Sequence, residues 1–116
     1  IVVASCDTKY KEAAFMRQLI EAEGIQALVV DVATGPGPSY GFDISREETA
    51  LAAGLSWKEV ENRTKSEKIS FMKHAAACLI KRLFKENRAD GVIAAGGLQH
   101  TVMAVEAMKA LPIGIP

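Results

Sequence analysis

The sequence lacks the features that mark several common binding classes: an excess of one charge, an aromatic platform and a long apolar run. Its 14 Lys and Arg residues are balanced by 14 Asp and Glu residues, and aromatic residues make up 6% of the chain. A nucleic-acid surface needs a basic face, and a single-strand platform needs stacked aromatic rings. No apolar run approaches the length of a membrane span, and no signal-peptide pattern is present. The composition therefore predicts neither a nucleic-acid nor a membrane partner.

Cysteine is scarce as well, which argues against two further kinds of site. Cys6 and Cys78 are distant in the sequence and have no cluster of other ligand residues beside them. Such spacing predicts neither a zinc site nor a disulfide scaffold, and a reducing, cytoplasmic location is expected. Cys6 precedes a predicted helix, where the pKa of a thiol falls, but a small buried residue is the favoured interpretation.

The sequence does contain an alternation of short apolar runs and amphipathic helices. At 116 residues, 49% of them hydrophobic, it is expected to form one domain over residues 1–116. Strands are predicted at 1–4, 25–32 and 90–95, longer helices at 8–23, 64–87 and 98–110, and a further strand from about residue 113. Ser45, Ser56 and Thr64 each precede a glutamate by three residues, which is the spacing of a capping box and predicts a helix start at each.

Capping residues and apolar spacing predict where the helices begin and end and which of their faces are buried. Asp7 or Thr8 is a natural N-cap for the first helix, and Gly24 is a natural residue just after its end. Phe15 and Leu19 lie on one apolar stripe of that helix. The long helix at 64–87 has a core-facing stripe, formed by Ile69, Met72, Ala76, Leu79, Ile80 and Leu83.

Strand–helix–strand units of this size predict an α/β fold. Their crossovers are right-handed and their strands parallel. We expect a three-layer, Rossmann-like or flavodoxin-like domain with about four parallel strands in the order 2-1-3-4 and helices on both faces. In such a sheet the ligand crevice lies at the carboxyl ends of the strands, where the strand order reverses.

The stretch from Asp90 to Thr101 is the most informative part of the chain. An apolar strand at 92–95, expected to be covered on both faces, leads through Gly96 and Gly97 into a helix. Glycines let the backbone turn sharply and approach a ligand closely, and a helix N-terminus attracts anions. A simple tight turn explains the two glycines equally well, because a partial glycine motif is weak evidence alone.

Polar residues collect at the ends of the predicted strands. Lys9 supplies a cation for a phosphate, and Thr8 and Thr101 supply hydroxyl groups. Asp7 is either a Mg²⁺ ligand or a helix cap. Asp31, at the end of the second strand, lies where dinucleotide-binding folds place an acid for ribose hydroxyls. His100, in the turn itself, would respond to pH near neutrality and to a bound phosphate.

Two standard nucleotide motifs are missing from the chain. No G-x-G-x-x-G follows the first strand, and no G-x-x-x-x-G-K-[ST] occurs, so neither an NAD site nor a standard P-loop is predicted. Flavodoxin-like FMN binding fits the fold, but the chain has few aromatic residues to sandwich a flavin. The loop at 33–41, rich in glycine and proline, is long enough to be functional or mobile.

Taken together, the motifs resemble the N-terminal half of the ATP-binding-domain family typified by the tomato mosaic virus resistance protein. The resemblance covers essentially the whole chain. It is carried by the segments Asp7-Thr8-Lys9, Val30-Asp31-Val32, Asp43-Ile44-Ser45-Arg46-Glu47-Glu48, Asp90-Gly91-Val92-Ile93, Gly96-Gly97, Thr101 and Leu111-Pro112-Ile113-Gly114-Ile115-Pro116.

That resemblance implies a domain that binds ATP with Mg²⁺ and is joined to a further, C-terminal α/β domain. The nucleotide-site residues that it implies are Asp7, Thr8, Lys9, Gly96, Gly97 and Thr101. The chain starts inside a strand and stops as another begins, so a domain of a longer protein is expected.

A different class of function competes with nucleotide binding. In the family pattern a small residue and a glycine separate the two glycines from the threonine, whereas Leu98, Gln99 and His100 stand there in this chain. A side chain at position 100 would crowd a phosphate. The alternative is a degenerate domain that acts through protein contacts, as a partner-binding or homo-oligomerisation module with an exposed apolar patch.

Overall fold

The computed structural model describes all residues from Ile1 to Pro116 and contains three strands and five helices. Their bounds are β1 Val2–Ala4, α1 Tyr10–Ala22, β2 Val29–Asp31, α2 Arg46–Leu51, α3 Trp57–Glu61, α4 Lys65–Lys85, β3 Ile93–Ala94 and α5 Leu98–Lys109. None of the helices combines the length and apolar character needed to cross a bilayer.

The strands form one parallel sheet in the order β2-β1-β3. Val2 lies opposite Val29 on one side and Ile93 on the other, so β1 is the central strand. The predicted α/β class and the order 2-1-3 are confirmed. The fourth strand is not formed: Ile113 lies in a turn, and only the Pro116 carbonyl reaches the sheet, accepting from the Val92 N–H at 2.8 Å.

Helices cover both faces of the sheet, as predicted, because successive strand residues point to opposite sides. Val2, Ala4 and Val29 pack with Ala13 of α1. On the other face, Val3 belongs to a larger core built from β2, α2, α4 and α5, whose largest members are Val30, Val32, Met72, Leu79, Ile80, Leu83 and Met103. The predicted core face of α4 is therefore confirmed from Met72 onward, while Ile69 is only half-buried.

The three predicted helix starts after Ser45, Ser56 and Thr64 are confirmed. The backbone N–H of each N-cap donates to the glutamate three residues on, at 2.9, 2.8 and 2.9 Å respectively. In α2 and α4 the hydroxyl of the cap also accepts from the backbone N–H of that glutamate. These helix ends are thus satisfied by their own sequence.

The start and the apolar stripe of α1 differ from the prediction. Asp7 and Thr8 do not cap the helix, because the N–H groups of Thr8 and Lys9 both donate to the Ser5 carbonyl in a turn that precedes it. Lys9 is the N-cap and supplies no side-chain bond. Phe15 and Leu19 are more than half exposed, because α1 turns its small Ala13 toward the narrow sheet.

Two predicted strands are also shorter than expected. β2 starts at Val29 rather than residue 25, and Ile25 is exposed. β3 is limited to Ile93 and Ala94, and Ile93 is 45% exposed, so the expectation of a strand covered on both faces is wrong. The reason is the register: Ile93 points to the same side as Val2, the side of α1, and α1 packs on β1 rather than on β3.

Candidate functional site

A polar cleft of about 540 Å³ opens at the carboxyl ends of β1 and β3. Leu98 is its only hydrophobic lining residue; the others are Ser5, Asp7, Thr8, Lys9, Thr34, Gly35, Lys65, Gly97, Gln99 and His100. The sequence analysis predicted five of these positions as site residues, namely Asp7, Thr8, Lys9, Gly97 and His100. Gly96, Asp31 and Thr101 do not line the cleft.

The N-termini of α1 and α5 open on this cleft without side-chain caps. Lys9 and Gly97 are their N-cap residues, and neither helix receives a capping hydrogen bond from a side chain. The first turn of α5 also contains no acidic residue. Free N–H groups at a helix start carry a partial positive charge. The first turn of α5 lines the cleft through Leu98, Gln99 and His100, whereas α1 reaches it at Lys9 and has Glu12 in its first turn.

Two lysines contribute full positive charges to the cleft. The Lys9 ammonium contacts the Glu12 carboxylate at 2.7 Å, and this pair holds the pKa of Glu12 below its ordinary value through a side-chain hydrogen bond. Lys65, the first residue of α4, forms no ion pair within the chain. Its ammonium is therefore available to a ligand, whereas that of Lys9 is shared.

Asp7 is the only carboxylate that lines the cleft. It accepts a hydrogen bond from the Thr8 hydroxyl at 3.2 Å, and its other oxygen lies against Gly35, where any Cβ would collide with it. The Gly35 carbonyl in turn accepts from Arg46 at 2.8 Å, and the Arg46 guanidinium stacks 4.7 Å above the Trp57 ring. Gly35 is thus held in the cleft wall, and Thr34 beside it is the other residue of the loop at 33–41 that lines the cleft.

His100 fills the space that its neighbouring glycine leaves. A Cβ on Gly96 would overlap the His100 side chain, whereas a Cβ on Gly97 would meet nothing within 4 Å. The ring atom Nε2 of His100 is buried and has no hydrogen-bond partner. Burial lowers the pKa of His100, against the opposing influence of Asp7 and Asp31. Gly96 therefore accommodates a side chain of the same turn, and Gly97 alone faces open space.

Asp31 lies beneath the cleft, fully buried. One carboxylate oxygen accepts from the backbone N–H groups of Cys6 and Ala33, both at 2.9 Å, and the other has no partner. Burial, and then the charges of Asp31 and Asp7, raise the pKa of Cys6 to about 12, so its thiol stays protonated at neutral pH. This agrees with the interpretation of Cys6 as a small buried residue. The Thr101 hydroxyl donates back to the Gly97 carbonyl at 3.3 Å.

Sequence reasoning did not include Ser5, Leu98 and Gln99, which adjoin predicted site residues, and it missed Lys65 and the loop residues Thr34 and Gly35. A signal for Lys65 was present, since the capping box at Thr64 marks a helix start, and in an α/β fold helices begin at the edge of the sheet where its strands end. Nothing local in Thr34-Gly35 shows that this loop turns back against Asp7.

A larger groove of about 630 Å³ lies at the opposite end of the sheet, lined mainly by apolar residues such as Ile1, Ile20, Ile25 and Ile93. The C-terminal ends of α1 and α4 are nearby, and Asn87 and Arg88, which follow α4, line the groove. Helix C-termini carry partial negative charge, so this groove is the poorer place for an anion despite its size.

Comparison with known proteins identifies a family. The model of the N-terminal domain of the uncharacterised protein family UPF0261 matches residues 1–116. A UPF0261 protein of Clostridium tetani is 32% identical over the whole chain, which spans 29% of that relative. One from Brucella suis is 30% identical over the whole chain, which spans 28% of it.

These matches correct the family assignment made from sequence motifs. The matching model and the relatives are those of UPF0261, and they give no support for an ATP-binding family typified by the tomato mosaic virus resistance protein. The segments behind that assignment are short, and local structure accounts for some of them: Val30 and Asp31 belong to β2, and Ser45 and Glu48 form the capping box of α2. The chain belongs to the UPF0261 family and corresponds to its N-terminal domain.

Proposed function

We propose that the cleft binds a nucleotide, ATP with Mg²⁺, and holds its phosphates between the starts of α1 and α5. The observation that carries the proposal is that the two helices that start with neither a side-chain cap nor a capping box, α1 and α5, both begin at the cleft. Phosphate oxygens would accept hydrogen bonds from the N–H groups that no cap satisfies.

The lining of the cleft supports a polyphosphate over an apolar ligand. Ser5, Thr8 and Thr34 offer hydroxyl donors, and Lys65 offers an unpaired ammonium. At about 540 Å³ the space is within the range of small-molecule sites. Leu98, 84% exposed at the rim, is the one apolar surface against which a base could rest.

The residues also fit a magnesium ion that arrives with the nucleotide. Mg²⁺ commonly binds through one or two carboxylates, with phosphate oxygens and water completing its shell. Asp7 is the single carboxylate available, with the Thr8 hydroxyl beside it. No group of three or more His, Cys, Asp or Glu side chains converges anywhere in the chain, so a metal held by protein ligands alone does not fit.

Thermal unfolding with ATP plus Mg²⁺, ADP, inorganic phosphate or FMN tests the proposal. Ligand at 100-fold over its Kd adds about 2.7 kcal/mol of stability, which shifts the midpoint on the order of 10 °C. We expect this shift with ATP plus Mg²⁺ and none with FMN. Omitting Mg²⁺, or the change Asp7→Asn, should weaken the binding of ATP.

Two lysines of the same helix provide a matched pair of variants. Lys65→Ala removes a charge in the cleft and should weaken ATP binding by roughly 10-fold, since a hydrogen bond to a charged group contributes about 1.5 kcal/mol or more. Lys85→Ala makes the same change 20 residues further along α4, about 30 Å away, and should leave binding unchanged. Equal effects of the two variants, or no shift with any nucleotide, would contradict the proposal.

A further inference from the structure

We propose that the outer edge of β3 and the outward face of α5 form an internal interface of the full-length UPF0261 protein. Its occupant is a parallel strand and the helix that follows it, supplied by the polypeptide C-terminal to Pro116. This inference does not rest on the nucleotide proposal, because it concerns the side of the sheet, and only Leu98 belongs to both this surface and the cleft.

The two edges of the sheet differ in how well their backbone groups are paired. The outer edge of β2 is covered by Ile44, whose carbonyl accepts from the Asp31 N–H at 2.9 Å. β3 bonds inward through the Ile93 N–H to the Ile1 carbonyl at 2.9 Å, so the N–H of Ala94, the next residue, points outward. On that outer side the one backbone bond lies just before β3, where the Val92 N–H donates to the Pro116 carbonyl.

An apolar surface continues from this edge onto α5. Leu98, Val102 and Val105 lie at positions i, i+4 and i+7 of the helix, and the two valines are 46% and 40% exposed. This spacing forms one stripe on the side opposite the buried Met103, Ala104 and Ala107. Such a stripe is typical of a helix that packs against neighbours on two sides.

The handedness of the crossovers places the next strand at this edge. The crossover from β1 to β2 runs through α1 on one face of the sheet. The crossover from β2 to β3 runs in the opposite direction along the sheet, through α4 on the other face. α5 lies on the α4 face. A right-handed crossover through α5 must therefore continue outward beyond β3, where the Pro116 carbonyl lies.

A segment of the same protein fits this edge better than a second copy. The chain spans only 29% of the Clostridium tetani relative, so proteins of the family have ample further sequence to supply a strand and a helix. A two-fold dimer would pair two β3 edges in antiparallel orientation. The Pro116 carbonyl already bonds to Val92 at this edge in the position of a parallel neighbour.

Cysteine labelling of the full-length protein tests the inference without requiring it to unfold. In a background with Cys78→Ala, Val102→Cys and Val105→Cys are placed on the stripe, and Leu51→Cys, on an exposed position of α2, is the control. We expect maleimide to react with the two stripe cysteines at least 100-fold more slowly than with the control. The outward N–H of Ala94 should also be protected from hydrogen exchange.

The inference is overturned if the stripe cysteines react as fast as the control. It is also overturned if their protection disappears on dilution, since loss of protection on dilution would identify a second copy as the occupant. Protection that is independent of protein concentration supports it.

Discussion

The starts of the five helices fall into two groups. α2, α3 and α4 begin with a serine or threonine whose backbone N–H is bound by a glutamate three residues later. α1 and α5 begin with Lys9 and Gly97, which provide no cap. α4 starts at the cleft as well, but its own side chains satisfy its first turn, so it contributes Lys65 rather than free N–H groups.

The two kinds of helix start differ in how their first N–H groups are satisfied. A capped helix start stabilises the chain by itself, whereas an uncapped one leaves donors that water or a ligand must satisfy. Departures from local sequence rules are expected where function competes with stability. Four predictions, in order of decreasing expected effect, test the helix starts and the turns beside them.

Gly96→Ala should have the largest effect, because the new Cβ would overlap the His100 side chain. Overpacking of this kind costs about 1–3 kcal/mol, measurable by urea unfolding. Gly37→Ala is the control, since its Cβ would meet nothing within 4 Å. In the double variant with His100→Gly, which removes the Cβ that the new side chain would overlap, the penalty at position 96 should largely vanish. A penalty that persists there would show that the turn, and not the histidine, requires glycine.

Thr64→Ala should lower the free energy of unfolding by about 1 kcal/mol, because it removes the hydroxyl that accepts from the Glu67 N–H. Gly97→Ser makes the opposite change at α5 by supplying a cap. It should raise stability by a few tenths of a kcal/mol and weaken ATP binding, because the serine oxygen would compete for the same donors. If Gly97→Ser binds ATP as tightly as the natural chain, the uncapped start of α5 has no part in binding.

The pH dependence of stability should come from different residues in the two groups. Burial holds the folded-state pKa of His100 below its ordinary 6.5. The stability of the folded chain that depends on a neutral His100 is therefore fully present above pH 6.5 and is lost as the pH falls. The pKa of Glu67 is lowered from 4.5, mainly by its hydrogen bond from the Thr64 side chain, so its contribution is lost only below pH 4.5. The free energy of unfolding, measured with urea from pH 7 to 3.5, should fall in two steps. The step below pH 6.5 should be absent in His100→Asn, and the step below pH 4.5 should be absent in Glu67→Gln. The interpretation fails if His100→Asn leaves the curve near pH 6 unchanged.

Lys9→Ala should have the smallest effect on stability, since Lys9 pairs with an exposed glutamate. Exposed pairs of this kind contribute little, and we expect the midpoint of thermal unfolding to change by about 1 °C or less. The shift produced by ATP should nevertheless decrease. A large loss of stability in the absence of ligand would place Lys9 among structural residues.

The fold was predictable to the extent that it depends on local sequence. The capping boxes at Ser45, Ser56 and Thr64 mark their helices because each uses only neighbouring residues. The exposure of Ile93 was not predictable, since it depends on which strand α1 covers. About half of the residues that line the cleft were predictable, because they lie in the turns after β1 and β3. The contact of Gly35 with Asp7 was not, because it depends on the path of a long loop.

The buried carboxylate of Asp31 has a consequence for how the cleft would work in salt. Asp7 in the cleft, the buried Asp31 and Glu12, which pairs with Lys9, offset the positive charges of Lys9 and Lys65. An anion would then be held by oriented N–H groups at short range more than by a long-range field. Ionic strength screens the field between separated charges but hardly affects direct hydrogen bonds. A phosphate bound in the cleft as proposed would therefore lose less affinity on addition of salt than one bound at a simply basic surface.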